Sequence, residues 1–188
     1  MKRIMICFVV SLSFCYPLFS QTGDLKEPPN KIKAIIAKKG SVLIKNFSTI
    51  GSLNGNNGAK VELSEAVVYE PEKESESIRG LKIEVSENSR YEKSHSSFLD
   101  IDEVDAFVKA IYYVYTTSTR WKGYTKDYTE VMYSTMDDCK IGFYQKGTEQ
   151  TFYMISGSID KTSCLMNFND FVTFLQIAGK SKSILLQK

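Results

Sequence analysis

The sequence predicts an α+β fold of antiparallel sheet with two helices, arranged as two successive units of four strands and a helix (ββββα-ββββα). Three observations carry this reading. Short apolar segments alternate with turn residues along most of the chain; two longer segments switch to helical spacing; and the surroundings of those two segments superpose without gaps.

In the first unit, Val42 to Ile50, Val61 to Tyr69, Ile78 to Val85 and a short piece around Ser96 to Leu99 read as strands. Gly51 to Gly58, with Asn54-Gly55 and Asn57-Gly58, supplies residues that take up positive φ readily, and it joins two strand-like segments, so it reads as a hairpin loop and not as a phosphate cradle. A helix follows, with Asp100 as N-cap and Glu103 three residues on. Ile101, Val104, Phe107, Val108 and Ile111 recur at helical spacing. Burying that stripe is worth roughly 8 to 15 kcal/mol before entropy, so it should lie on a sheet.

The second unit repeats the order. Tyr128 to Ser134, Cys139 to Tyr144, Phe152 to Ser156 and Thr162 to Met166 read as strands, separated by turns at Met136 to Asp138, Lys146 to Glu149 and Gly157 to Asp160. Asn167 caps the second helix, Asp170 stands at its third position, and Phe168, Phe171, Val172, Leu175 and Ala178 form its apolar face, with Gly179 as the expected stop. Leu99 to Ile111 lies over Met166 to Ala178, matching Val104 with Phe171 and Phe107 with Phe174. The units span about residues 33–117 and 127–180, inside one α+β domain over 33–188, because neither unit alone holds enough core.

Ahead of that domain, Lys2 and Arg3 precede an apolar run from Ile4 to Phe14, and Ser20 precedes Gln21: the order of a secretory signal peptide over residues 1–20. The run is too short to span a bilayer, so no transmembrane anchor is expected. Cys15 raises a lipid anchor, but Phe14 stands where a small residue is preferred. Residues 21–32, with Pro28 and Pro29, read as a flexible leader. The expected location is therefore secreted or periplasmic.

The chain holds 24 Lys and Arg against 22 Asp and Glu; loss of residues 1–20 takes Lys2 and Arg3 and leaves the two signs equal. Balanced charge argues against nucleic-acid binding. Charge is nonetheless uneven, with six lysines and no acid over residues 31–60, and thirteen acids against five bases over residues 61–105.

No reactive constellation stands out. Asp100, Asp102, Glu103 and Asp105 suit a helix N-terminus and lack the glycine of a calcium loop, so no metal or cofactor is expected. His95 reads as an exposed turn residue between Lys93 and Ser97, and no catalytic residue is assigned. Cys139 and Cys164 leave two readings open, a disulfide or two buried thiols at apolar strand positions. Arg120 to Tyr128 interleaves Trp121, Tyr124 and Tyr128 with Arg120, Lys122 and Lys126, a composition that can stack on sugar rings or bases, and Arg120, Trp121, Lys122 and Tyr124 are the candidate ligand contacts.

The segment from Ser97 to Val114, with Phe98-Leu99-Asp100-Ile101-Asp102-Glu103 leading into the helix, resembles a family of uncharacterised exported proteins of Bacteroidota type. That resemblance implies no activity. At the level of architecture alone, the repeated unit is similar to the Whirly and Pur single-stranded nucleic-acid-binding proteins, although the Lys-Gly-Lys-Ala-Ala-Leu strand motif of Whirly proteins is missing. The expected function is an exported, non-catalytic binding or interaction protein of unknown ligand, for which a cell-envelope protein or glycan is one candidate partner. Two alternatives stand beside it, a single-stranded nucleic-acid or anionic-polymer binder and a cell-envelope enzyme whose site assembles only in three dimensions.

Overall fold

The computed structural model describes residues 30–88 and 93–186; the expected signal peptide and most of the leader lie outside them. The strands are β1 (Ile44–Asn54), β2 (Lys60–Tyr69), β3 (Ile78–Glu87), β4 (Lys93–Asp100), β5 (Lys126–Ser134), β6 (Lys140–Gly147), β7 (Glu149–Ser156) and β8 (Thr162–Met166). The helices are α1 (Lys31–Ile36), α2 (Val104–Trp121) and α3 (Phe168–Leu186). β1 to β4 form one antiparallel meander and β5 to β8 a second, each followed by a long helix, which is the expected ββββα-ββββα order.

The helices exchange sheets. α2, which follows the first sheet, packs on β5 and β6 of the second; α3, which follows the second sheet, crosses β1, β2 and β3 of the first and also touches β7 and β8. One core results, into which both sheets and both helices send side chains. Phe152 stacks on Phe171 at 4.4 Å between centroids, and Phe143 lies 5.5 Å from Phe152.

The repeat is visible in burial. Val104, Phe107, Ile111, Val114 and Ser118 of α2 are buried, and so are Phe171, Phe174, Ala178, Ser181 and Leu185, the residues 67 positions later. Phe107 meets its counterpart Phe174 edge to face at 6.5 Å. Helix entry is repeated in part: at α3, Asn167 Oδ1 accepts from the Asp170 amide at 3.0 Å while Asp170 Oδ2 accepts from the Asn167 amide at 3.2 Å, and α2 keeps only the second of these bonds, from the Asp100 amide to Glu103.

Four local expectations need correction. Residues 30–32, expected in the leader, are part of the folded body: Asn30 caps α1 by accepting from the Lys33 amide at 2.7 Å, and Ile32 is fully buried on the outer face of the first sheet with Ala66 and Val68. Asp100 serves α1 instead of α2, its carboxylate accepting from the Lys31 and Ile32 amides at 2.7 and 3.1 Å, while Glu103 Oε2 accepts from the Asp100 amide at 3.3 Å. β1 continues through the glycine of the expected loop to Asn54, because a bulge between Thr49 and Gly51 opens room for Ile177 of α3, 2.9 Å from where a Gly51 Cβ would stand. Gly179 does not stop α3, which runs to Leu186. Two further turns bury Ser181 and Leu185, which outweighs the roughly 1 kcal/mol a helical glycine costs.

Cys139 and Cys164 are both buried free thiols. β7 runs between β6, which Cys139 adjoins, and β8, which carries Cys164, so their Cα atoms are separated by two strand spacings, roughly 10 Å, beyond disulfide reach. Burial pushes the Cys139 thiol up to about 12 and the Cys164 thiol up to about 11. Among the described residues no helix is long and apolar enough to cross a membrane.

Candidate functional site

The two sheets differ in what covers their outer faces. α1 seals part of the first, over Ala66, Val68, Ile78 and Phe98. Nothing equivalent covers the second among the described residues, although its outer face is far from polar. β6 and β7 read Ile141-Gly142-Phe143-Tyr144 and Phe152-Tyr153-Met154-Ile155; Ile141, Phe143, Phe152 and Met154 point into the core, which sends Tyr144, Tyr153 and Ile155 outward.

A row of tyrosines results. Tyr128 of β5 stacks on Tyr144 of β6 at 6.1 Å, and Tyr144 stacks on Tyr153 of β7 at 6.5 Å, with interplanar angles of 23° and 27°. Glycine at 142 sets the depth of the row. Tyr153 pairs with Gly142 across the ladder, and its hydroxyl lies 3.1 Å from where a Gly142 Cβ would stand, so the absent side chain lets the ring lie flat on the sheet. Tyr153 donates to Glu130 Oε1, and it is buried although it faces outward. Burial, then the Glu130 carboxylate, raise its hydroxyl above the ordinary tyrosine range. Tyr128 stays 60% exposed, and Met132 and Leu165 flank the row, also exposed.

The Arg120 to Tyr128 segment is divided by the sheet. Trp121 turns inward, half-buried, its ring edge-on to Phe143 at 5.8 Å, and Lys126 Nζ stands 4.8 Å over it. Arg120 and Lys122 are exposed at the end of α2; Lys122 borders a small cavity of about 260 Å³ with Gln150 and Phe168. Tyr124 is 64% exposed, and its carbonyl accepts from Gln145 Nε2. Only Tyr128 of this segment joins the stacked row. Tyr144 and Tyr153 escape sequence reasoning because strand register brings them to Tyr128 from 16 and 25 residues away. The available signal is the unbroken apolar stretch Phe152 to Ile155, which marks a strand with apolar side chains on both faces.

The other candidates resolve as structural. His95 lies within β4, not in a turn; its Nδ1 stands 2.9 Å from Ser156 Oγ, which in turn is 2.7 Å from Ser97 Oγ, where the two sheets meet. Ser97 and Ser156 are fully buried. Asp100, Asp102 and Glu103 border a groove of about 870 Å³, but each is engaged: Asp100 by α1 amides, Glu103 by the Asp100 and Met136 amides, and Asp102 by Lys31 at 2.8 Å; Asp105, outside the groove, pairs with Lys109 and Lys182. Burial nevertheless raises Glu103 above the ordinary carboxylate range. No group of three or more His, Cys, Asp or Glu that could hold a metal occurs among the described residues.

Fold and site together define a repeat-built α+β protein with an uncovered aromatic sheet face. No protein-family model, curated protein or solved structure matches this chain.

Proposed function

We propose that this is an exported, non-catalytic binding protein that holds a carbohydrate polymer of the cell envelope on the outer face of its second sheet. The observation that carries the reading is the stacked row Tyr128–Tyr144–Tyr153, open to solvent at Tyr128. Tyr128 offers a sugar ring an aromatic surface at little conformational cost, since tyrosine has two side-chain torsions and this ring is already held by packing on Tyr144, which packs in turn on the buried Tyr153. The Lys2-Arg3 and Ile4 to Phe14 pattern supports export, and the engagement of Asp100, Asp102 and Glu103 in backbone and ion-pair contacts supports a role without catalysis.

Affinity gel electrophoresis against soluble xylan and dextran, and co-sedimentation with peptidoglycan sacculi, test the reading. Retardation by at least one of these is expected, with Tyr128→Ala weakening it about tenfold, in line with the roughly 1 to 3 kcal/mol a stacked aromatic contributes. Absence of retardation by all three, or retardation unaffected by Tyr128→Ala, overturns it. So does tight, salt-sensitive binding of oligothymidylate in their place, which would favour the nucleic-acid alternative.

A further inference from the structure

The two sheets have four edges, and three are protected. α3 lies over the C-terminal part of β1, where Lys180 Nζ donates to the Ile50 carbonyl at 3.1 Å, and the rest of β1 presents Lys45, Asn46, Ser48 and Thr49, polar residues that discourage pairing. β4 and β8 lie against each other where the sheets join. β5 is the exception: among the described residues it pairs with no strand but β6, and α2 is the helix packed against it. Its inward row is correspondingly unfinished. Thr129, Val131 and Tyr133 are only half-buried, whereas their ladder partners on β6, Gln145, Phe143 and Ile141, are fully buried.

Charge is distributed along this edge with a direction. α2 runs antiparallel to β5, so its first turn stands by the end of β5 and its last turn by the start. At the Ser134 end the groove is bordered by Asp100, Asp102 and Glu103, with Lys31 as the cation among its lining residues. Arg120, Lys122 and Lys126 stand at the other end, with Asp127 as the nearest acid in the chain. An edge that is acidic at one end and basic at the other is complementary to itself under a twofold rotation, which sets each acidic end against a basic one.

We propose that β5 pairs antiparallel with β5 of a second copy, joining the two second sheets into one continuous eight-stranded sheet. A register centred on Val131 sets Val131 against its own copy and Thr129 against Tyr133 on the inward face, closing the half-buried row. It also places Glu130 opposite Met132; a register centred on Glu130 would oppose two like charges. A free peptide bearing one cation could answer only the acidic end, so the second copy is the better occupant. The pairing stands apart from the carbohydrate reading: a monomer that binds sugar, or a dimer that does not, separates the two.

Sedimentation velocity of the purified protein at about 5 to 200 µM tests the pairing, with a dimer expected that weakens as salt rises. Val131→Lys, which sets two ammonium groups face to face at the twofold axis, should yield a monomer with an unchanged far-ultraviolet spectrum. Asp102→Lys and Lys122→Glu should each weaken the dimer about tenfold, and the double variant should recover most of that loss. Val131→Cys provides an independent reading, because cross-strand partners lie close enough for a disulfide and should give a covalent dimer on oxidation. A monomer throughout the concentration range, a dimer indifferent to Val131→Lys, or failure of the charge swap to restore association overturns the proposal.

Discussion

Replacing Gly179 by alanine should stabilise this protein, and the sign of the effect separates two readings of the same residue. A glycine that ends a helix in the left-handed conformation resists replacement, since a Cβ there costs about 1 kcal/mol. Gly179 is instead continuous helix: α3 runs seven residues past it, and its φ is not positive. An alanine Cβ built at 179 meets no atom within 4 Å, so neither a clash nor a packing gain enters. What remains is the helix-interior difference between the two residues, about 0.8 to 1.0 kcal/mol in favour of alanine. With a urea m-value of about 2 kcal/mol/M for a domain of this size, the unfolding midpoint should rise by roughly 0.4 to 0.5 M. Equilibrium unfolding followed by far-ultraviolet circular dichroism, with equal m-values for both proteins, measures this directly. A lowered midpoint would refute the reasoning and restore Gly179 as a helix stop.

Two further outcomes follow from packing and titration. Gly142→Ala should destabilise by about 1 to 3 kcal/mol, because its Cβ would lie 2.1 Å from the Val131 carbonyl oxygen and would crowd Tyr153; a midpoint equal to wild type would contradict the flat seating of that ring. Cys139 and Cys164 should resist alkylation by iodoacetamide at pH 8 until the chain unfolds, as read by mass spectrometry of their peptides. Both thiols titrate higher in the folded state, at about 12 and about 11, so between the ordinary thiol range and these values the folded chain binds more protons than the unfolded one. Stability contributed by these groups is therefore complete below the ordinary thiol range and declines as pH rises through that window; a stability profile that climbs above pH 9 would contradict it.

Elements whose cause is local are legible in the sequence alone. Alternation places seven of the eight strands within a few residues of their ends, because each faces the core on one side at least. The start of α3 can be read from Asn167 and Asp170 because capping uses residues three apart, whereas at α2 only Glu103 bonds back, to the Asp100 amide, and the Asp100 carboxylate goes to α1. Features governed by distant partners cannot be read in this way. α1 is six residues long and lysine-rich, and beyond its own Asn30 cap it depends on Asp100, some 70 residues away, and on the outer face of the first sheet. The end of α3 depends on what lies beneath Leu185, and His95 reads as a turn until Ser156 is brought to it. At the site, Tyr128 is within view in the sequence, but its neighbours Tyr144 and Tyr153 belong to a surface that exists only once three strands are in register.

The exchange of helices between sheets also sets a schedule. Synthesis delivers β1 to β4 first, yet the inner face of that sheet, with Leu53, Leu63, Leu81 and Ile83, waits for α3, which follows it by some seventy residues. β5 to β8 arrive with α2 already made, so the later half can close before the earlier one. Until α3 appears, the nascent chain has a sheet it cannot cover, so the first sheet stays open while the second is still being made.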